Sequence, residues 1–207
     1  MKRIFTIEGN IGSGKSTIIE KLKNKLNNFN EFIFLPEPVD EWNKIKDNSG
    51  VTILEKFYND KKRYSFSFQM MAYITRLIQL RKAIDSAPDN AIIITERCLL
   101  TDRYIFAQML YDTGFIEEID FRIYLSWFDE FNTFYYGGVI YIQVSPDICL
   151  ERIKKRNRKG EESIPLEYLQ SCHDYHEKWL NNMKLIKVHT FNGNNEINLE
   201  DIYKTVL

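Results

Sequence analysis

Near its amino end the chain reads Gly9-Asn10-Ile11-Gly12-Ser13-Gly14-Lys15-Ser16. This stretch matches the phosphate-loop pattern, in which a glycine and four further residues precede Gly-Lys-Ser/Thr. The apolar run Ile4 to Ile7 before it indicates a buried strand, and apolar residues recur at helical spacing after Lys15. Glycines allow backbone N–H groups to curl around a phosphate, and a helix N-terminus adds partial positive charge. The stretch therefore predicts nucleoside triphosphate binding, with a glycine-rich turn that holds no ligand as the alternative.

Within this pattern each residue type has a defined task. Lys15 can reach the β- and γ-phosphates, and the hydroxyl of Ser16 can ligate Mg²⁺. We expect ATP to be held by Gly9, Asn10, Ile11, Gly12, Ser13, Gly14, Lys15, Ser16 and Thr17.

Short apolar runs alternate with helical patterns along the rest of the chain. The predicted strands cover Ile4–Ile7, Phe32–Leu35, Ala91–Thr95, Val139–Val144 and Leu185–Thr190. The predicted helices cover 15–29, 52–60, 64–86, about 101–112, 116–132, a segment that begins at Pro146, Pro165 to about Met183, and 199–207. This alternation predicts an α/β fold, a doubly wound parallel sheet of five strands with helices on both faces. Ligands of such sheets bind beyond the carboxyl ends of the strands.

The composition narrows the class of protein. The chain has 207 residues, a size that suits one domain over 1–207, and a formal net charge of −1. This charge gives no strong field for nucleic acid or membranes, so we expect neither as a partner. Three cysteines without metal-ligand spacing indicate reduced thiols. A strand that begins near Met1 leaves no room for a signal or transit peptide, so we expect a cytoplasmic protein.

Six segments together resemble the deoxynucleoside kinase family, in its deoxycytidine and deoxyguanosine kinase branch. The resemblance spans nearly the whole chain, and the joint pattern is far more specific than the phosphate loop alone. The segments are Glu8-Gly9-Asn10-Ile11-Gly12, Glu37-Pro38-Val39, Phe66-Ser67-Phe68-Gln69, Glu96-Arg97, Thr101-Asp102-Arg103-Tyr104-Ile105-Phe106-Ala107 and Ile164-Pro165-Leu166-Glu167-Tyr168-Leu169.

The acceptor side of the reaction is expected to centre on Glu37. A carboxylate that follows a strand and faces the phosphate loop can orient an attacking hydroxyl and take its proton. By resemblance Glu37 is the catalytic base, Arg97 holds the 5′-hydroxyl region and the charge of that base, and Glu96 lies near the metal, acting through water. The alternatives are a helix N-terminal charge for Glu37 and a structural ion pair between Glu96 and Arg97.

The resemblance also implies a nucleoside pocket. Gln69 offers a donor and an acceptor to the edge of a base, Phe68 stacks on the base face, and Tyr58 bonds the 3′-hydroxyl of the sugar. Ala72, Arg76 and Asp102 match the positions at which this branch differs from kinases that accept thymidine. Ala72 and Arg76 lie three and seven residues after Gln69, so a helix places all three on one face, and an Arg76–Asp102 pair is expected to wall the pocket with charge. The apolar walls are expected to come from Trp42, Leu54, Ile11 and Phe106. Aromatic residues at helical spacing are otherwise more often core.

A basic stretch after the fourth strand is predicted to form a short lid, about residues 152–164. It reads Arg152-Ile153-Lys154-Lys155-Arg156-Asn157-Arg158-Lys159, with six basic residues in eight. By resemblance Arg152, Arg156 and Arg158 are the arginines of the lid, which neutralise the transferred phosphoryl group. Arg152 and Arg156 are also expected to bind ATP. The alternatives are a solvated basic face and a nucleic-acid patch. An ungapped match selects Glu161 as a second contact to the 3′-hydroxyl, and a shift by one residue would select Glu162.

The predicted activity is transfer of the γ-phosphoryl of ATP to the 5′-hydroxyl of a deoxynucleoside, with Mg²⁺ as cofactor, in nucleotide salvage. Deoxycytidine, deoxyadenosine and deoxyguanosine are expected to be favoured over thymidine. One rival is a thymidylate kinase-like nucleoside monophosphate kinase, which needs an arginine and glycines around its Glu-Pro; the segment Leu35–Val39 has neither. Another is a non-catalytic P-loop ATP-binding protein.

The resemblance implies a homodimer joined through helices. The aromatic residues Phe121, Tyr124, Phe128 and Phe131 form either the joining surface or buried core. His173 and His176, three residues apart on a helix, are interpreted as structural or surface residues and not as a metal pair.

Overall fold

The computed structural model describes residues 2–158 and 160–207, so Lys159 of the predicted lid lies outside the described residues. Five parallel strands form one sheet in the order β2-β3-β1-β4-β5. The strands are β1 (Arg3–Glu8), β2 (Phe32–Leu35), β3 (Ile92–Glu96), β4 (Tyr136–Gln143) and β5 (Val188–Asn192). The predicted α/β parallel sheet is confirmed.

Ten α-helical segments connect and follow these strands in the described part of the chain. They are α1 (Lys15–Lys25), α2 (Val39–Lys44), α3 (Ile53–Asn59), α4 (Lys61–Ser86), α5 (Leu99–Thr101), α6 (Gln108–Asp112), α7 (Glu118–Phe131), α8 (Pro146–Arg156), α9 (Leu166–Asn181) and α10 (Leu199–Val206). A π-helical turn, Asp102–Ala107, joins α5 to α6.

Alternation along the strands gives the sheet two buried faces. Ile92 and Ile94 of β3 pack in a cluster with Leu22 of α1 and Val206 of α10. The intervening Ile93 packs in a different cluster, with Leu80 of α4. Both faces are apolar because helices cover both, as expected for a parallel sheet.

The predicted bounds of several elements differ from the structure, and β4 begins at Tyr136 instead of Val139. α1 ends at Lys25 and not at residue 29, and the short helix α2 was not predicted. β5 runs from Val188 to Asn192, whereas the prediction began at Leu185, a residue that is 98% exposed.

Three of the four aromatic residues predicted to form either a joining surface or core on α7 are core, and the fourth, Phe131, is half-buried against the same cluster. Phe121, Tyr124 and Phe128 are at most 7% exposed and pack in the cluster that lies beneath α4. They cannot form a joining surface, because their side chains already fill the interior. His176 is fully buried, and no group of three His, Cys, Asp or Glu residues within 2–158 and 160–207 could hold a metal ion.

Candidate active site

A cavity of about 580 Å³ opens along the carboxyl ends of the strands. Its walls come from the phosphate loop, from the segments that follow β2, β3 and β5, from α3 and α4, and from the basic stretch. Parallel strands place their carboxyl ends at one edge, so residues distant in sequence meet there. Two loop glycines are required by space: a Cβ on Gly9 would lie 2.6 Å from the Ile142 carbonyl, and one on Gly12 would lie 2.5 Å from the Cys149 carbonyl.

Most of the predicted ATP-binding residues line this cavity, namely Ile11, Gly12, Ser13, Gly14, Lys15, Ser16, Thr17, Arg152 and Arg156. Gly9 and Asn10 do not line it, and the side chain of Asn10 is directed elsewhere. Arg152 donates to the Ser13 carbonyl at 3.3 Å and to the Gly193 carbonyl at 2.9 Å. Arg152 therefore joins the phosphate loop to the loop after β5.

Lys15 is held inside its own loop. Its Nζ donates to the Asn10 carbonyl at 2.7 Å, and the residue is 4% exposed. Burial, reinforced by the charge of Arg97, lowers the pKa of Lys15 to about 8. An anionic phosphate beside Nζ would supply an opposite charge and would favour the protonated form of Lys15.

The hydroxyl of Ser16 donates to Oε1 of Glu96 at 2.7 Å. One hydroxyl and one carboxylate thus lie together at the junction of the phosphate loop and β3. Hard divalent cations prefer oxygen ligands, so this donor set fits Mg²⁺.

Glu37 is clamped between two arginines. Its Oε1 lies 3.1 Å from Nε of Arg97 and 3.4 Å from Nη2 of Arg76. Burial alone would raise the pKa of Glu37, but Arg97, Arg76 and Lys15 hold it below its usual range. The carboxylate is therefore ionised and fixed in direction at the cavity wall.

Arg97 adopts a left-handed backbone, with φ of 63°. Such a conformation costs a non-glycine residue about 1–3 kcal/mol and persists where the surroundings enforce it. Its guanidinium lies 4.8 Å from the ring centroid of Phe106, and Nη1 has no hydrogen-bond partner in the described residues. A buried donor without a protein partner is available to an acceptor on a ligand.

Arg76 links three groups of the site. It donates from Nε to Asp102 at 3.0 Å and from Nη1 to the Glu96 carbonyl at 2.8 Å, besides its contact with Glu37. Burial would lower the pKa of Arg76, but Asp102 and Glu37 raise it above its usual value. The predicted pairing of Arg76 with Asp102 is present.

The predicted nucleoside residues share one end of the cavity: Trp42, Leu54, Tyr58, Phe68, Gln69, Ala72, Arg76, Asp102 and Phe106. Phe68 stacks on Phe57 with centroids 4.7 Å apart and meets Trp42 edge-on at 5.3 Å. Gln69 is 2% exposed, and its Oε1 lacks a hydrogen-bond partner among residues 2–158 and 160–207. Burial keeps the pKa of Tyr58 high, so its hydroxyl remains a donor.

The structure brings Glu161, and not Glu162, to the cavity. Glu161 is 5% exposed and accepts from both Arg156 Nη2 and, at 3.2 Å, Arg158 Nη1. Glu162 is exposed and accepts from the Gly160 N–H. The predicted lid arginines lie in two different elements. Arg152 and Arg156 belong to α8, and Arg158 lies beyond the end of that helix.

Several cavity residues were not predicted. Phe57 and Tyr168 contribute to the nucleoside end, and Lys21, Lys155, Gly193, Asn195, Glu196, Ile197 and Leu199 contribute to the end near the phosphate loop. The segment 193–199 follows β5, so the rule about strand ends would have found it had β5 been predicted to end at Asn192.

Comparisons with known proteins identify the family to which the chain is similar. The deoxynucleoside kinase family model matches residues 5–206. The chain is 37% identical over 179 residues to a probable deoxycytidine kinase of Fowlpox virus. The aligned region covers 85% of this chain and 71% of the relative. It is 34% identical over 196 residues to human deoxycytidine kinase, covering 85% and 74%. It is 34% identical over 198 residues to a mitochondrial deoxyguanosine kinase of Xenopus laevis, covering 87% and 73%.

Proposed function

The chain belongs to the deoxynucleoside kinase family, and we propose that it transfers the γ-phosphoryl group of ATP to the 5′-hydroxyl of a deoxynucleoside, with thymidine disfavoured. One observation carries the proposal: the Glu37 carboxylate, clamped by Arg97 and Arg76, lies in the same cavity as the phosphate loop and the unpaired Gln69 amide oxygen. A base pocket and a phosphate cradle in one cavity suit direct transfer between the two ligands.

In the proposed mechanism Glu37 orients the 5′-hydroxyl and accepts its proton. Its depressed pKa keeps it ionised at neutral pH, so it is always able to accept a hydrogen bond from the hydroxyl. Arg97 holds Glu37 and offers its free Nη1 towards the reacting groups. Lys15, Arg156 and Arg158 supply positive charge for the phosphoryl group in flight.

Gln69 would hydrogen-bond the edge of the nucleoside base, and Phe68 would stack on the face of that base. Gln69 can give an amide N–H and accept through Oε1, which suits the amino and ring-nitrogen edge of cytosine or adenine and the ring N–H and carbonyl edge of guanine. The buried pair Arg76–Asp102 occupies the wall beside Ala72, where a 5-methyl group would need room. Tyr58 and Glu161, which both line the cavity, would hydrogen-bond the 3′-hydroxyl.

Ser16 and Glu96 would hold Mg²⁺, Glu96 through a water molecule. The ion would neutralise charge between the β- and γ-phosphates.

The proposal is tested by the position of transfer. The protein is incubated with labelled ATP and either deoxycytidine or 2′,5′-dideoxycytidine, which lacks only the reacting hydroxyl. We expect a labelled 5′-monophosphate from the first and no labelled nucleotide from the second. Label transferred to 2′,5′-dideoxycytidine would show that another hydroxyl reacts and would reject the assignment of Glu37.

A second proposal concerns assembly, since one face of α7 is apolar and exposed. Ile119, Ile123 and Trp127, four residues apart, are 73%, 43% and 44% exposed. We propose that this stripe joins two copies of the chain in a homodimer, because residues at this spacing lie on one helix face. Sedimentation velocity should give a dimer for the wild type and a monomer for Ile123→Lys. Ile45→Lys, at a similarly exposed isoleucine on another element, is the control and should leave the dimer intact.

The cysteines support a proposal about the cellular compartment in which the protein works. All three are buried free thiols, which suits a reducing compartment such as the cytoplasm. Within residues 2–158 and 160–207, no helix combines the length and apolarity needed to cross a bilayer.

A further inference from the structure

The side chain of Asn10 is committed to protein contacts rather than to a ligand. It is 2% exposed and does not line the cavity. Its Nδ2 donates to the carbonyl of Leu169 at 2.8 Å, across 159 residues of chain, and its Oδ1 accepts the N–H of Ile11 at 2.8 Å. The amide therefore joins the phosphate loop to α9.

The backbone of Asn10 also organises the loop. Its carbonyl accepts from Nζ of Lys15 at 2.7 Å and from the N–H of Ser13 at 3.2 Å. Four hydrogen bonds thus meet at one residue. The phosphate-loop pattern leaves this position open, so phosphate binding itself does not require asparagine here.

The other end of the contact lies where the lid returns to the fold. Leu169 is fully buried in the first turn of α9, a few residues after Glu161, and its neighbour Tyr168 lines the nucleoside end of the cavity. The Asn10 side chain therefore links the phosphate loop, which would hold the triphosphate, to α9. This helix contributes Tyr168 to the nucleoside end of the cavity and anchors the lid.

From this geometry we infer that Asn10 is a positioning residue, a latch that holds the phosphate loop in register with α9 and the lid. Lys15 has to leave the Asn10 carbonyl to reach a phosphate, and the side-chain bond keeps the loop in place while it does so. In-line transfer depends on the relative placement of donor and acceptor, and a misplacement of about 1 Å can cost about 100-fold in rate. The rate readout below rests on the proposed function, whereas the exchange readout does not.

Two variants remove the latch. Asn10→Ala deletes both side-chain bonds, and Asn10→Asp retains an acceptor for Ile11 but cannot donate to Leu169. Asn182→Ala is the matched control, because it deletes a 2.7 Å hydrogen bond from a side-chain amide to a backbone carbonyl, that of Lys178, at the other end of α9. Thermal unfolding of each protein establishes that it is folded, and Asn10→Ser, which adds no buried charge, serves if Asn10→Ala or Asn10→Asp does not fold.

We expect both Asn10 variants to lose about 10- to 100-fold in kcat, with KM for ATP and for the deoxynucleoside within about threefold of wild type. The ratio of ATP hydrolysis to nucleoside phosphorylation should rise, because a loosened lid admits water. A purely structural role would move stability without this division between kcat and KM. A kcat within twofold of wild type in both variants would overturn the inference.

Hydrogen exchange tests the coupling without any turnover. ADP with Mg²⁺ should slow amide exchange in the phosphate loop and in residues 164–173 of the wild type and of Asn182→Ala. In the Asn10 variants protection should persist in the loop and be lost in 164–173. Equal protection of 164–173 in all proteins would refute the latch. If the wild type phosphorylates no deoxynucleoside, the proposed function fails, and the exchange result still decides the latch.

Discussion

The buried pair Arg76–Asp102 allows a prediction with a magnitude, because both partners and their other contacts are known. The two side chains are 5% and 2% exposed, with Nε and Oδ2 3.0 Å apart. The changes are Arg76→Met, Asp102→Ala and the two combined. Methionine retains most of the volume of the arginine, so the substitutions chiefly remove charge.

The two single changes should differ in cost. Arg76→Met leaves a buried carboxylate without its cation and removes a donor from the Glu96 carbonyl, so we expect a loss of about 3–5 kcal/mol in the free energy of unfolding. Asp102→Ala leaves Arg76 with the Glu37 carboxylate and the Glu96 carbonyl, so we expect about 1–3 kcal/mol. The double variant should be more stable than the sum predicts, by about 1–3 kcal/mol.

Urea unfolding of the four proteins gives these values, and kcat/KM for thymidine relative to deoxycytidine gives the effect on specificity. Removing the charged wall should raise relative thymidine activity by about 10- to 200-fold, the range that a methyl-sized misfit allows. Stability losses that add within about 0.5 kcal/mol would refute the coupling. A wild type that prefers thymidine, or a double variant with unchanged relative activity, would refute the specificity argument while leaving the kinase assignment intact.

Three further predictions concern single side chains. Glu37→Gln should keep nucleoside binding and lose at least about 100-fold in kcat, the usual scale for a general base, whereas turnover within a few-fold of wild type would remove Glu37 from the mechanism. Arg156→Ala and Arg158→Ala should depress kcat more than the nucleoside KM in steady-state assays, because their charge acts mainly in the transition state; unchanged kcat with altered nucleic-acid binding would favour a basic patch instead. Burial lowers the pKa of His176, so the unfolded chain binds a proton below about pH 6.5 that the folded chain does not. As the pH is lowered below about 6.5, the free energy of unfolding should therefore decrease by up to about 1.4 kcal/mol per pH unit. Urea titrations at several pH values should show that His176→Phe loses this pH dependence.

The sequence predicted the sheet and most of the site because strong local patterns coincide with topology. Phe32–Leu35 and the run ending at Thr95 are apolar and bounded by turn residues, and parallel pairing then brings Glu37 and Arg97 together at one edge. The Arg76–Asp102 contact was also anticipated, since helical spacing places Arg76 on the same face as Gln69.

What was missed depends on tertiary contacts that leave no local pattern. β5 is a partly exposed edge strand, so its start could not be read from hydrophobicity, and the cavity loop behind it was overlooked. On α7 the side chains of Phe121, Tyr124 and Phe128 are buried, while the exposed stripe consists of Ile119, Ile123 and Trp127. Asn10 was expected to bind ATP because its motif binds phosphate, and the hydrogen bond from its side chain to the Leu169 carbonyl leaves no local pattern in the sequence.

One activity panel tests the central claim most directly. Wild-type protein with ATP and Mg²⁺ is given each of the four deoxynucleosides and thymidine monophosphate, and ADP and nucleotide products are measured together. We predict one ADP per 5′-monophosphate formed, with kcat/KM for deoxycytidine, deoxyadenosine or deoxyguanosine above that for thymidine, and no reaction with thymidine monophosphate. Phosphorylation of thymidine monophosphate with all four deoxynucleosides inert would contradict the account.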